Sequence, residues 1–395
     1  MKTKVLIIGP IEDHGGRELE AGFIVSVLKD DFDVSVLSTG NMSPKSQFYE
    51  ISDGIRMKSL KQRLFKKYKL LRPATILSYL RNRRKEPLYF YVNNKFNLRL
   101  IKSREKNILK ETIEKNDLIF VIAHLQTLRT KEIIELSEKL GKPLIFRTTG
   151  KILKQKFPSY LQKVTHFIHH SYHNARSLHE KINEPKYHII DQTSFLENEL
   201  LKIPLASKRV TNFGVIGRLS PEKNLENLIL YFKESSDLSD TLFLIGEGEL
   251  RLKLENICAG IPNVRILGSI ASTEIPEIFR EIDCLILASY SEAGPLVGVE
   301  AMASGRLLLS TRVGAMEERL RGTGNDFWFE ADSKASFVKQ FKRIKELNSE
   351  EISEIAANNR NVYLKKYSHK EIAESYKNAV NFALNDNKSR NNSYS

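Results

Sequence analysis

Short apolar runs alternate with amphipathic segments along most of the chain. Runs such as Lys4–Gly9 and Leu118–Ala123 are apolar almost throughout, which is typical of parallel strands covered on both faces. We predict strands centred near Ile7, Val36, Ile119, Ile145, Ile168 and Ile189, then near Val215, Leu244, Ile266, Leu285 and Leu308. The amphipathic segments between them predict helices, so the pattern indicates an α/β fold with parallel sheets.

The strands fall into two groups, which predict two doubly wound, Rossmann-like domains joined near residues 195–210. We assign residues 1–200 to the first domain and residues 205–366 to the second. The chain has 395 residues, of which 41% are hydrophobic, and this is enough for two domains of ordinary size. The polar stretch 385–395 is predicted to be a disordered tail.

Glu292 and Glu300 stand between a predicted strand that ends at Ser289 and a predicted helix with Pro295 in its first turn. A strand, a glycine-containing turn and a helix leave N–H groups at the positive end of the helix dipole, where phosphate binds. Glu300, inside the helix, is suited to a vicinal diol such as ribose. Glu292, in the turn, is suited to hydroxyls beyond the phosphates, although a solvated helix face is the simpler interpretation of both residues.

A second turn supplies positive charge. A predicted strand ends at Gly217 and a helix is predicted to begin near Pro221, with Arg218 and Lys223 flanking the turn. A diphosphate carries about two negative charges near neutral pH, so two cations at a strand end can hold it as a leaving group without a metal. Each cation taken singly is equally an exposed loop charge.

Four segments, in this order, resemble retaining glycosyltransferases of family 4 over about residues 210–320. They are Gly217-Arg-Leu with Lys223, then Leu242–Gly248, Val264–Gly268, and the Glu292/Glu300 segment followed by Ala301–Gly305. The resemblance implies the GT-B architecture, in which two Rossmann-like domains face each other across a cleft. It also implies donor binding in the C-terminal half and acceptor binding in the N-terminal half.

The resemblance implies roles for individual residues. Those matching Arg218 and Lys223 grip the donor diphosphate, the one matching Glu300 holds the ribose, and the one matching Glu292 contacts the transferred sugar. Backbone amides around Gly294, Pro295 and Leu296 complete the phosphate cradle. The family also implies that a C-terminal helix, here residues 367–384, packs back onto the first domain. This sequence departs from the family at Arg306-Leu307, where a Pro is usual, and at residues 312–317, where a more Gly-rich turn is usual.

The first domain offers two further features. Gly15 and Gly16, after the first predicted strand, allow close backbone approach to an anion, and the family commonly has such a loop facing the donor phosphates. A tight turn is the plainer interpretation. His124 ends the strand Leu118–Ala123, at the edge where α/β sites collect. It is expected to hydrogen-bond a sugar hydroxyl, or else to be a structural strand-end histidine.

No metal or other cofactor is expected. The histidines between His166 and His173 lack cysteine or carboxylate partners at ligand spacing, which argues against zinc. Asp31 and Asp33 fall where a helix gives way to the second strand, away from strand carboxyl ends. Cys258 and Cys284 lie in apolar contexts and are interpreted as packed thiols. No apolar run reaches the ~20 residues that span a bilayer, and we expect a cytoplasmic protein without a signal peptide.

The positive charge of the chain is concentrated between Arg56 and Lys110. This basic belt contains eighteen Lys or Arg residues against Glu86 and Glu105, a local net charge of +16 in a chain of net charge +14. Apolar residues such as Leu64 and Leu80 are interleaved, so the belt predicts basic amphipathic helices that lie on an anionic membrane surface. Solvated helix faces are the alternative.

Together these features predict a retaining, metal-independent glycosyltransferase acting on a nucleotide-sugar donor. We expect the acceptor to be a saccharide or lipid-linked saccharide of a bacterial envelope polysaccharide, and the protein to be peripheral on the inner face of the cytoplasmic membrane. One alternative is a GT-B relative that epimerises or hydrolyses nucleotide sugars. Another is a nucleic-acid-binding protein that uses the basic belt, which would leave the acidic pair without a role. We therefore expect no nucleic-acid partner.

Overall fold

The computed structural model describes residues 2–52, 54–83, 85–150, 152, 157–180, 182 and 186–392. The chain divides into two compact units. The first consists of Met1–His169, Ala175–Ile190 and Ala373–Ser395, and the second of His170–Asn174 and Asp191–Ile372. The main segment of the second unit thus begins at Asp191, ahead of the predicted junction near residues 195–210.

The first unit is built on a parallel sheet with seven strands in the described residues. They are β1 (Lys4–Gly9), β2 (Asp33–Ser38), β3 (Lys58–Ser59), β4 (Leu118–Ala123), β5 (Leu144–Thr148), β6 (His166–His169) and β7 (Lys186–Ile189). Their spatial order is β3-β2-β1-β4-β5-β6-β7. The direction of chain progression therefore reverses between β1 and β4, and the carboxyl edge beside such a reversal is where doubly wound sheets bind ligands.

Helices accompany this sheet. They are α1 (Gly16–Leu28), α2 (Phe48–Ile51), α3 (Leu60–Lys67), α4 (Arg72–Arg81), α5 (Leu98–Glu114), α6 (Thr130–Lys139) and α7 (Tyr172–His179). The core of the unit gathers buried side chains from both layers, such as Ile8 and Val121 on strands and Leu64 and Ile108 on helices. Because helices cover the sheet, β4 is buried at every position, which explains its uninterrupted apolar sequence.

The second unit has a five-stranded parallel sheet in the order β10-β9-β8-β11-β12. Its strands are β8 (Asn212–Ile216), β9 (Thr241–Ile245), β10 (Val264–Gly268), β11 (Cys284–Leu287) and β12 (Leu307–Ser310). Its helices are α8 (Glu197–Leu201), α9 (Leu225–Ser235), α10 (Arg251–Cys258), α11 (Ile275–Glu281), α12 (Leu296–Ala303), α13 (Met316–Leu320), α14 (Lys334–Glu346), α15 (Ser349–Lys366) and the start of α16 (His369–Asn392). Here the chain reverses direction between β8 and β11.

The predicted fold class is confirmed, because both units are Rossmann-like domains with parallel sheets. Every predicted strand centre lies within an observed strand. The pattern did not predict β3, which has two residues and pairs with the end of β2 through Leu37 and Lys58. A segment this short carries no detectable alternation.

The C-terminal helix differs from its predicted bounds. α16 begins at His369 and continues to Asn392, so residues 385–392, predicted to be disordered, are helical, and residues 393–395 lie outside the described residues. From Ala373 onward the helix belongs to the first unit. Tyr376 donates a hydrogen bond to Glu20 at 2.8 Å, and Glu20 also accepts one from the buried guanidinium of Arg147 at 2.8 Å. This buried network fixes the helix to α1 and β5.

Candidate functional site

The turn after β8 is shaped by Gly217, whose φ of 150° is a conformation that L side chains rarely adopt. The ammonium of Lys223 lies close to it, because a Cβ added to Gly217 would stand 3.5 Å from Lys223 Nζ. The helix predicted from Pro221 in fact starts at Leu225, and Pro221–Lys223 forms one 3-10 turn. This turn brings Lys223 back over the end of its own strand.

Lys223 is ion-paired with Glu292, which follows the neighbouring strand β11. Glu292 also accepts a hydrogen bond from Ser289 Oγ at 3.0 Å. Both charged side chains remain about one-fifth exposed, so a ligand can reach them. The two predicted site segments therefore meet at the carboxyl ends of β8 and β11, where the strand order reverses.

Arg218 is exposed and forms no ion pair with any residue that the structure describes. It follows Gly217 directly, so its guanidinium starts from the same turn as Lys223. A free guanidinium presents five N–H donors in a planar fork that matches phosphate oxygens. This turn therefore supplies one paired and one unpaired cation to the same end of the sheet.

The turn after β11 leads into α12, whose N-cap is Pro295. The first turn of a helix leaves N–H groups without partners in the helix, and here they follow Gly294 and Pro295 in the sequence. Leu296 begins the helix and is partly exposed. The predicted phosphate cradle thus has the local geometry of a helix N-terminus beside the Lys223 turn.

Glu300 lies on α12 but is buried, at 6% exposure. Burial raises its pKa to about 7, and a hydrogen bond with Ser194 opposes the rise. The carboxyl group is therefore partly protonated at neutral pH, which a solvated helix face would not produce. Glu300 and Glu292 differ accordingly: Glu300 is a buried acid that is partly protonated near neutral pH, and Glu292 is a partly exposed carboxylate paired with Lys223.

Arg319, which was not predicted from the sequence, contacts the turn before α12 from the protein interior. It is fully buried, bridges to Asp191 at 2.8 and 2.6 Å, and donates to the carbonyl of Pro295 at 2.5 Å. A Cβ added to Gly294 would stand 3.0 Å from its guanidinium, and one added to Gly298 would stand 3.4 Å from it. Because Gly294 and Gly298 have no side chains, the first turn of α12 can pack directly against the guanidinium of Arg319.

Asp191 opens a short loop that contacts the site three times. Asp191 binds Arg319, the buried side-chain oxygen of Gln192 lies 3.7 Å from a Cβ added to Gly294, and Ser194 binds Glu300. The position of Asp191, two residues after β7, was the available signal, since polar residues at strand ends often belong to sites. Arg319 gave no signal, because an arginine in a short helix is usually solvated.

Arg306 occupies one of the positions at which the sequence departs from family 4. Its guanidinium is buried and donates to the carbonyls of Phe279 and Pro204, at 2.5 and 3.1 Å. Burial lowers the pKa of Arg306 to about 10. Arg306 thus joins α11 to the segment that follows α8, outside the charge cluster.

The predicted residues of the first domain also gather at a strand reversal. Gly15 and Gly16 follow β1 and His124 follows β4, its neighbour in the sheet. Gly15 has a φ of 137°, and its amide already donates to Gln47 at 2.9 Å. His124 lies against Gly150, and partial burial of its ring and then the charge of Arg17 lower the pKa of His124.

Over the described residues, no group of three or more His, Cys, Asp or Glu side chains is arranged to hold a metal ion. Asp31 is ion-paired with Lys377 at 2.7 Å, and Asp33 is exposed, so both lie on the surface. In the same part of the chain, no helix combines the length and apolar character that crossing a bilayer requires.

Comparison with known proteins gives a family match for one part of the chain. Residues 198–362 match the family described as "Glycosyl transferases group 1". This segment contains Arg218, Lys223, Glu292 and Glu300. All of the second-domain positions predicted from the sequence therefore fall inside the matched region.

Curated relatives agree with this match. An uncharacterized glycosyltransferase of Methanocaldococcus jannaschii, MJ1178, is 29% identical over 160 residues, which is 40% of this chain and 44% of that protein. A second from the same organism, MJ1607, is 27% identical over 175 residues, or 43% of this chain and 44% of that protein. The match thus spans less than half the length of each relative.

Solved structures resemble the whole chain in fold. The Anabaena protein Alr3699/HepE in complex with UDP has a TM-score of 0.68 at 16% identity, over 96% of this chain and 100% of that one. A glycosyltransferase from Rickettsia africae has a TM-score of 0.71 at 14% identity, over 97% and 99%. Both domains thus have the fold found in GT-B glycosyltransferases.

Proposed function

We propose that the chain is a retaining, metal-independent glycosyltransferase that moves a sugar from a nucleoside-diphosphate sugar to an acceptor hydroxyl. The observation that carries the proposal is the meeting of Lys223 and Glu292 at the β8/β11 strand reversal, beside the start of α12. Cations and helix amides at that point suit a diphosphate, and a nearby carboxylate suits sugar hydroxyls.

Each residue receives a role in this proposal. Arg218 and Lys223 bind the diphosphate, and the amides that follow Gly294 assist them. Glu300 binds the ribose diol, and Glu292 orients the transferred sugar. In the first domain, His124 binds a sugar hydroxyl, and the turn of Gly15 and Gly16 allows the backbone to approach an anion.

Transfer would proceed by attack on the face from which the diphosphate departs. The bond from the anomeric carbon to the diphosphate oxygen breaks, and the acceptor oxygen bonds to the same carbon. The acceptor proton passes to the leaving diphosphate, so no protein nucleophile is required. Arg218 and Lys223 stabilise the charge that develops on the leaving group, which is the task that a metal performs in other enzymes.

The proposed donor follows from the ligands of a protein with a similar fold, and the proposed acceptor is consistent with the charge of the basic belt. HepE, which has a similar fold, has been crystallised with UDP and with UDP-glucose, so a uridine-diphosphate sugar is the first donor to test. For the acceptor we propose a saccharide or lipid-linked saccharide of an envelope polysaccharide, such as O-antigen, capsule or exopolysaccharide. The basic belt between Arg56 and Lys110 supports a place at the inner face of the cytoplasmic membrane.

A transfer assay tests the proposal. The protein is incubated with UDP-, GDP-, ADP- and dTDP-sugars and with lipid-linked acceptors in EDTA, and products are resolved by mass spectrometry and NMR. We expect one donor to give a glycosylated acceptor with the anomeric configuration of the donor. An inverted product, or free sugar or an epimerised nucleotide sugar as the sole product, would contradict it.

A further inference from the structure

The fold buries some of the apolar side chains of the basic belt in its own core. On α3, Leu60 and Leu64 are buried, and on α5 so are Ile101, Ile108 and Leu109. These two helices therefore turn their apolar faces inward and leave basic residues outside. The buried apolar side chains of α3 and α5 cannot also contact lipid, so the apolar part of the predicted membrane contact must lie elsewhere in the basic belt.

Helix α4 is the exception. Pro73, Ile76, Leu77 and Leu80 are all exposed, and Leu77 is 59% exposed. Their spacing of three, four and seven residues from Pro73 places them on one face of the helix. Thr75, on the opposite face, is buried and hydrogen-bonded to Asn97 at 3.3 Å. α4 thus binds the domain through its polar face and presents its apolar face outward, the reverse of an ordinary surface helix.

The loop that holds α4 adds more exposed apolar groups. Asn97 is buried and donates to the carbonyl of Leu71, just before α4, at 3.1 Å. Its neighbours Phe96 and Leu98 are exposed, Phe96 by 74%, and Leu70, beside Leu71, is 81% exposed. We call the exposed face of α4 the apolar stripe. The α4 surface is this stripe together with the three exposed residues near it, and consists of Leu70, Pro73, Ile76, Leu77, Leu80, Phe96 and Leu98. Exposed apolar groups clustered in this way usually mark a binding surface.

The charge around the α4 surface is positive. Lys66, Lys69, Arg81 and Arg83 are exposed at the two ends of α4. Of the two acids in the belt, Glu105 is bound by Arg129 at 3.0 Å, which leaves Glu86 as the exposed one. A partner must therefore combine negative charge with an apolar interior.

We propose that the α4 surface docks the protein on an anionic lipid bilayer. The apolar stripe enters the boundary between headgroups and acyl chains, and the basic residues contact phosphate headgroups. A polynucleotide would use the charges but leave the stripe in water, so it fits the surface less well. Docking would place the protein where a lipid-linked acceptor lies, so its biological purpose rests on the proposed function. The exposed apolar and basic residues of the α4 surface are observed whether or not that function holds.

Vesicle flotation of the full chain tests the docking. Phosphatidylcholine vesicles are compared with vesicles that also contain phosphatidylglycerol, at low and high salt. We expect binding that requires phosphatidylglycerol and weakens with salt. The variant L77Q/L80Q should bind at least ~tenfold more weakly, because two apolar side chains no longer enter the bilayer. K69Q/R81Q should weaken binding and reduce its salt dependence.

Matched controls lie on the second domain. L238Q/L252Q makes the same change at leucines that are 96% and 76% exposed, and K339Q/K342Q removes two exposed lysines. Both should bind vesicles like the unchanged protein, and all variants should keep its melting temperature and nucleotide binding. Vesicle binding needs no nucleotide sugar, so its failure is separable from a failure of the proposed reaction.

Any of three outcomes would overturn the docking proposal. The first is vesicle binding that L77Q/L80Q leaves unchanged, and the second is binding that does not depend on phosphatidylglycerol. The third is a dimer, detected by light scattering, that L77Q/L80Q converts to a monomer, because the α4 surface would then bind a second copy of the chain.

Discussion

The ammonium of Lys223 donates to the carboxylate of Glu292, although the two residues follow different strands of the second sheet. The ammonium that lies against the Gly217 turn is therefore held by an acid. An incoming diphosphate must share or take over this ammonium. The pair thus holds Lys223 in position and also competes with the proposed ligand.

Removing Lys223 should impair catalysis more than folding. If its ammonium stabilises the departing diphosphate, Lys223→Ala should lower turnover by ~100-fold or more. Steady-state kinetics with the donor found in the transfer assay measure the effect. Lys208→Ala, at an exposed position on the same domain, serves as the control and should be fully active. Full activity of Lys223→Ala would reject the role assigned to it.

Glu292→Gln should separate nucleotide binding from transfer. The amide oxygen can still accept from Ser289, but the negative charge that pairs with Lys223 is lost. We expect UDP to bind equally well or a few-fold more tightly, since the ammonium is released and a like charge is removed. Turnover should fall, because the sugar loses a charged acceptor of its hydroxyl protons. Calorimetry and kinetics on the same preparation check both effects, and weaker UDP binding would contradict the account.

Glu300 should make stability depend on pH. Its pKa is about 7 in the folded protein and 4.5 in an unperturbed carboxyl, so the folded state binds more protons between these values. The stability that this group contributes is present below about pH 4.5 and is lost as pH rises towards 7, on the order of 3 kcal/mol in total. Glu300→Gln should remove that slope from chemical denaturation measured across this window. An unchanged slope would show that Glu300 is not the group responsible.

Arg319 and Asp191 are expected to position the α12 turn without touching substrate. Arg319→Met leaves a buried carboxylate unpaired and should cost roughly 3–5 kcal/mol of stability. The double variant Asp191→Asn/Arg319→Met should recover part of that loss, since no charge is left buried. Donor KM should stay raised in the double variant, because the carbonyl of Pro295 still lacks its donor. Recovery of both stability and KM would indicate a purely structural role.

The strands were most readily predicted where both faces are buried and the apolar sequence is therefore continuous, as in β4. The Lys223 and Glu292 turns could be located for the same reason, since both follow such strands. The exact start of α9 was not predictable, because Pro221 suits the first turn of either a 3-10 or an α-helix.

Contacts distant in sequence were beyond pattern reasoning. Arg319 and Asp191 are 128 positions apart, and only the folded chain brings them together under Pro295. For a related reason, the predicted membrane contact of the basic belt could not be assigned to particular residues. The composition of the basic belt predicted amphipathic helices, but composition does not reveal which apolar side chains are buried in the core. In the folded chain Leu60 and Leu64 are buried, whereas Leu77 is exposed.

The central claim is that Arg218 and Lys223 hold the diphosphate of a nucleotide-sugar donor. Calorimetric titration of UDP-, GDP-, ADP- and dTDP-sugars into the unchanged protein and into Arg218→Ala/Lys223→Ala tests it most directly. The account predicts saturable binding of one of these donors, weakened ~100-fold or more in the double variant. Absence of binding by all four, or equal affinity of the double variant, would contradict it.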